Sequence, residues 1–481
     1  MWCRPTLAMI PAMVAVAACG GGGAAPPTPS TGPARLSGTV AYVATECIDT
    51  LESATGHQQL RVIRGESPPR ILTDVPTLGP GTPPGTCSLF GLARFGPFFT
   101  AVGAYQRLAV SPDASTIVFE VTDQVSLLPL TPLPPAQQGI FTIGADGANL
   151  RRLTDASREP TFRFVTEPSA QINVFPGFDF SPNGRVVTFT DLGPGPDGAE
   201  AAQIVTLDLL SGTRTQITHL PQSGTAGPLF PATCCPGFVD DDTIAFLSVS
   251  NPDGLNPNGD GVVFAVQSDG SGLRRLPPPV AVPGSRIVPV FSITGPRPTA
   301  TLLFLPGDPV NMPGTRGGIV EVFVAEGDNL LQLTNFRRSD TSTPIRGRDG
   351  QRVFFVASAD PLRMNPTTNC QIFSVDRNGA GLEQLTTFTQ GGVSHNGCFF
   401  GIPPGCAVAF LGQDVGTETL VMYSSCDPLG ANPYGSQIFA LRPDGSGLRQ
   451  LTQLRGLEVS DAEDMVTVEL PGPFAFSVRQ D

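Results

Sequence analysis

Apolar and polar residues alternate along this chain in short runs, and no long stretch holds the 3.6-residue period of a helix. The runs come in pairs around turn chemistry. Residues 437–441 alternate and are rich in β-formers, Pro443-Asp444-Gly445 makes a tight turn, and residues 448–452 lead back. The same hairpin recurs at 139–154, 203–218, 262–276, 321–334 and 371–386, with a worn first copy at 58–73, which makes seven copies.

A second pattern lies between the hairpins. Residues 108–113, 178–184, 237–242 and 348–350 each end a strand in a Pro/Asp/Gly turn, and each leads into a new apolar run. Unit five carries 295–298 in place of that turn, and unit seven carries 413–418. A full unit is therefore a meander of four strands, A to D. Successive units are spaced by about 63 residues, above the usual propeller repeat of about 40–50, with the excess in the loops.

One such unit cannot bury both of its faces, so neighbours must stack and the ring must close. The pattern predicts an all-β chain, a β-propeller of four-stranded antiparallel blades closed by N- and C-terminal strands. Seven blades are expected, with eight or six as alternatives. Residues 457–461 and 465–470 read as strands A and B of a unit whose hairpin never follows, so the N-terminal hairpin is expected to complete that blade.

The Ser-Pro-Asp/Asn turn at 111–113 and 181–183, the apolar B strand after it, and the hairpin at 437–452 resemble the TolB-type propeller repeat, a cousin of the WD repeat. The resemblance covers roughly 36–478. It implies the fold, in bacterial lipoproteins and in the propeller domains of prolyl-oligopeptidase-like peptidases. TolB itself has six blades and a separate N-terminal domain, for which this chain has no room.

The first residues change the picture of where the chain works. Arg4 followed by the apolar run 7–18 reads as a signal peptide over 1–18, too short for a membrane span. Val16-Ala17-Ala18-Cys19 resembles the bacterial lipoprotein box, which implies lipidation of Cys19. Residues 19–35 form a Gly/Pro-rich tether, and 36–481 form the propeller domain. The expected location is the bacterial envelope, with the outer membrane favoured over the inner. A net charge of -13 argues against nucleic acid as a partner.

Catalytic motifs are missing. There is no G-x-S-x-G elbow, no zinc spacing and no P-loop, and the three histidines, His57, His219 and His395, have no partner constellation in the sequence. No cofactor is expected. Asp253, Asn256, Asn258 and Asp260 offer hard oxygens that would suit Ca²⁺, but without EF-hand spacing, and the same residue types serve a long turn.

Eight cysteines follow Cys19, an even number behind an export signal. All eight fall where B–C loops and D–A connections emerge, at one end of the meander. Cys406 with Cys426, Cys370 with Cys398 and Cys47 with Cys87 are the expected pairs. That end also holds the long segments, including the Phe-rich stretch with Phe95, Phe98 and Phe99, which reads as a binding anchor or as a plug for the ring. The expected function is a monomeric, lipid-anchored, non-catalytic scaffold that binds a protein, peptide or glycan through its long-loop face. The alternative is a propeller enzyme, a lyase or hydrolase acting on an extracytoplasmic polymer.

Overall fold

The computed structural model describes residues 32–78, 81–84, 87, 105–122, 133–158, 178–222, 233–257, 262–276, 286–287, 292–293, 299–305, 321–326, 329–336, 342–347, 350–389, 408–414, 416–430, 437–460 and 465–476. They form an all-β propeller of antiparallel sheets with almost no helical structure.

Six blades are each continuous in sequence. Blade I holds β4 (Tyr105–Val110), β5 (Thr116–Val121), β6 (Gly139–Gly144) and β7 (Arg151–Thr154). Blade II holds β8 (Asp179–Phe180), β9 (Val186–Pro194), β10 (Glu200–Asp208) and β11 (Arg214–Gln216). Blade III holds β12 (Thr233–Phe238), β13 (Thr243–Ser248), β14 (Val262–Gln267) and β15 (Arg274–Arg275). Blade IV has five strands, β16 (Arg286–Ile287), β17 (Ser292–Ile293), β18 (Thr299–Leu305), β19 (Glu321–Glu326) and β20 (Asn329–Gln332). Blade V holds β21 (Ser342–Arg346), β22 (Arg352–Ala357), β23 (Gln371–Asp376) and β24 (Glu383–Gln384). Blade VI holds β25 (Val408–Gln413), β26 (Leu420–Ser424), β27 (Gln437–Leu441) and β28 (Arg449–Gln450).

The chain ends build a composite closing sheet from β1 (Thr39–Asp49), β2 (Ala54–Arg64), β3 (Arg70–Leu78), β29 (Gly456–Ser460) and β30 (Met465–Phe476), in the order β29-β30-β1-β2-β3. This corrects the expectation of seven blades in favour of its alternative of six, while the closure by N- and C-terminal strands is as expected. Six blades repeat in sequence, and the ring closes through a sheet of another kind. The strand roles also differ from those expected. β30 stands in the A position and β1 in the B position, because β1 pairs with β30 on one side and β2 on the other. β29 is an additional strand beyond them.

The hairpin text has a physical basis in three blades. Gln203 Oε1 accepts bonds from Thr218 Oγ1 and Leu220 N, and Thr218 Oγ1 accepts from Ile204 N. The same lock joins Gln371, Thr386 and Phe388, and again Gln437, Thr452 and Leu454. One buried amide thus ties the start of strand C to the end of strand D and to the residue that leaves it. The turn glycine serves stacking as well as φ. Gly445 has φ of 80°, and a Cβ there would lie 2.6 Å from Leu385 O in the preceding blade. Gly270 meets Ile217 O at 3.0 Å in the same way.

The core lies between blades. Val187, Phe189 and Val205 of blade II pack on Ala109, Val118 and Ile140 of blade I. Phe238, Phe246 and Phe264 of blade III pack on Ile204 and Ile217 of blade II. Phe355 and Phe373 join blade V to blade IV, and Val408 and Phe439 join blade VI to blade V. Val421 and Ile438 of blade VI then meet Val40 and Tyr42 of the closing sheet. Because a blade has neighbours on both faces, middle strands such as β13, β22 and β26 are buried along almost their whole length.

Candidate functional site

First strands of adjacent blades touch one another, as β8 does with β4 and β12, which puts them at the centre of the ring. The innermost strand of blade II carries Asp179. Its neighbours Phe178 and Phe180 face blade I, so the alternation of the strand turns Asp179 towards blade III. There its Oδ2 accepts a bond from Phe238 N at 2.6 Å. Asp179 is partly buried. Desolvation pushes its carboxyl up to about 7, and bonds from the Phe238 and Phe180 backbones offset only part of that cost. A carboxyl that exchanges its proton near neutral pH is a fit general acid or base.

A second charged group lies between blades I and II, at their long-loop end. Arg107 Nε stands 3.4 Å from Glu120 Oε2, both nearly fully buried, and its guanidinium lies 5.3 Å from the Phe189 ring centre. Arg214 pairs with Asp191 and lies over the same ring at 5.1 Å. Burial pushes the Arg214 guanidinium down to about 10. Glu120 and Asp191 also accept the backbone N–H groups of Ser157 and Arg158. This network matches each carboxylate with a guanidinium and clamps the segment leaving blade I.

The loop suspected of holding a metal repeats a fixed design. Asn251 Oδ1 accepts Asn256 N, and Asn256 Nδ2 donates to Ser250 O. In blade V, Asp360 Oδ1 accepts Asn365 N, and Asn365 Nδ2 donates to Ala359 O. The buried Asn256 therefore braces the turn, while Asp253 is exposed with φ of 51°. Asn258 and Asp260 lie outside the described residues, and no metal-holding group of His, Cys, Asp or Glu occurs among the described ones.

Cys47 and Cys87 form a disulfide, as expected. Cys370 and Cys426 are each disulfide-bonded as well. Their expected partners, Cys398 and Cys406, lie outside the described residues, as do Cys19, Phe95, Phe98 and Phe99.

Sequence reasoning missed Asp179, although a signal existed. Residues 108–112 and 178–182 share one motif, and Asp179 stands where the sister unit has Ala109. A carboxylate at an apolar position of a repeat is an exception worth reading.

No protein-family model and no curated protein matches this chain. Among solved structures, it is similar to an oligogalacturonate lyase from Vibrio parahaemolyticus, at 10% identity over 89% of this chain and 90% of that one, with a TM-score of 0.43. An acylaminoacyl peptidase from Pyrococcus horikoshii matches at 9% identity over 90% of this chain and 57% of that one, with a TM-score of 0.46. The tricorn protease matches at 15% identity over 75% of this chain, with a TM-score of 0.38. The chain spans 27% of the tricorn protease and 52% of a matching prolyl endopeptidase. Against the expectation of a chain without enzymatic activity stand the names of these structures, a lyase and peptidases, and at 15% identity or less the likeness bears on the fold alone.

Proposed function

We propose that this protein is a propeller enzyme, a lyase or hydrolase acting on a polymer outside the cytoplasm, with Asp179 as its general acid or base. The observation that supports this reading is the placement of Asp179 on the innermost strand of blade II, with its carboxyl pushed up to about 7. Both reaction classes need a group that gives or takes a proton near neutral pH. A structural carboxylate would be better served by more donors and a depressed pKa.

In the same reading, Cys19 carries the lipid that holds the protein to the envelope, favouring the outer membrane. Cys19→Ala should release the protein into soluble fractions, and unchanged membrane partitioning would remove the anchor from the reading.

The test of the enzyme is a panel of polysaccharides and peptides incubated with the purified protein. Release of new reducing ends, unsaturated sugar ends or amines would be followed. Cleavage by the wild type and its loss in Asp179→Asn, at an undiminished melting temperature, is the expected result. An Asp179→Asn variant as active as the wild type would remove Asp179 from the mechanism, and no cleavage across the panel would count against the enzyme.

A further inference from the structure

The turn of unit seven, residues 413–418, departs from the Ser-Pro-Asp pattern of its sisters, and the structure gives the departure a purpose. Asp414 is fully buried. Its carboxylate accepts bonds from Ser37 N, from Ser37 Oγ at 2.8 Å and from Gly38 N at 3.3 Å. Within its own turn it accepts Gly416 N at 3.1 Å and Thr417 Oγ1 at 2.8 Å. The Thr419 hydroxyl donates to Arg35 O at 2.5 Å. Ala34 N donates to Gly447 O at 2.7 Å, and Leu36 N to Glu66 Oε1 at 2.8 Å. Leu36 is buried with Val40, Val421 and Ile438. Gly416 leaves room for the strap, since a Cβ there would lie 2.1 Å from Ser37 Oγ.

We infer that residues 34–38 are a strap that closes the ring a second time, latched to blade VI by the ionised Asp414 and released when that carboxylate takes a proton. The first closure is the pairing of β1 with β30. The strap is independent of it, because its partners are turns of blade VI and of the closing sheet rather than strand edges. Thr39 Oγ1 extends the bridge to Ala114 O in the first turn of blade I, at 3.0 Å.

Other charged groups stand near the latch. Arg35 lies on the strap, Glu418 on the turn of blade VI, Arg442 and Asp444 on the next turn, and Glu66 with Arg449 across the closing sheet. Glu66 accepts the strap at Leu36 N and pairs with Arg449 at 2.6 Å, so among the described residues it is the other carboxylate whose protonation loosens the strap. The donors around Asp414 hold its carboxyl below the ordinary range despite its burial. The latch is therefore engaged above the ordinary carboxylate value and lost as pH falls through the lower folded value.

Hydrogen exchange of residues 34–38, referenced to β13 in the same molecule, tests this. In the wild type the strap should be protected at neutral pH and lose protection in acid before β13 does. Asp414→Asn should raise its exchange at neutral pH at least tenfold with β13 unchanged. Gly416→Ala, which blocks the seat and keeps the carboxylate, should do the same at every pH. Wild-type protection of the strap in Asp414→Asn would overturn the inference. So would loss of protection in the strap and β13 together, or acid release that persists in Asp414→Asn and disappears in Glu66→Gln.

Discussion

Asp179 and Asp414 occupy matching regions of two blades, near the first turn of the unit, and their carboxyls move in opposite directions. Asp179 at the junction of blades II and III is pushed up to about 7. Asp414 at the junction of blade VI and the closing sheet is held below the ordinary value. Burial raises both. The difference is the number of donors, since Asp414 receives bonds from Ser37, Gly38, Gly416 and Thr417, while Asp179 has backbone donors at Phe238 and Phe180. A buried carboxylate with a full set of donors fixes structure. One with few donors keeps its proton within reach of chemistry.

The largest effect that would sharpen this contrast is catalytic. Asp179→Asn should lower turnover of the cleaved polymer by about 10²–10⁴-fold, and wild-type activity should show a limb near pH 7 that the variant lacks.

The second effect is on stability and has the opposite sign. Between the ordinary value of about 3.9 and about 7, folded Asp179 holds a proton that the unfolded chain releases. Stability from this group therefore falls as pH rises through that window. Asp179→Asn should be more stable than the wild type at pH 8 and about equal to it at pH 4, measured by urea unfolding. A loss at pH 8 would break the comparison, because it would make Asp179 a structural carboxylate like Asp414.

Asp414→Asn should cost the strap about 2–3 kcal/mol of local protection at pH 7, read from its hydrogen exchange, the scale of bonds to a buried charge. That cost should shrink as pH drops below the ordinary carboxylate range, because the wild type then loses its charge too. The smallest effect is expected at Asp113, which accepts Ser111 and Ser115 in an exposed turn. Asp113→Asn should stay within about 0.5 kcal/mol, showing that donors matter to this extent only where water is excluded.

The repeat made much of this fold legible. Alternating runs, turn residues and a recurring hairpin specify short antiparallel strands, because those signals act over a few residues. The Gln and Thr of the hairpin were visible as text, and Gly445 as a turn former. That Gln437 and Thr452 lock the leaving chain, and that Gly445 abuts Leu385 O of the blade before, became readable only once the blades were stacked. Cys47 with Cys87 was readable from loop topology.

The sequence by itself determined the unit: four strands, their turns, and the end of the meander at which cysteines gather. Tertiary structure alone decided that β1 enters between β30 and the N-terminal hairpin, and that a strap seats on Asp414. It also decided which carboxyl stays protonatable. The strap contact joins Ser37 to a residue more than 370 positions away, and the Asp179 contact crosses from one blade to the next. Local patterns carry no term for such distances. Burial and donor count, which set a carboxyl's behaviour, exist only when distant strands meet.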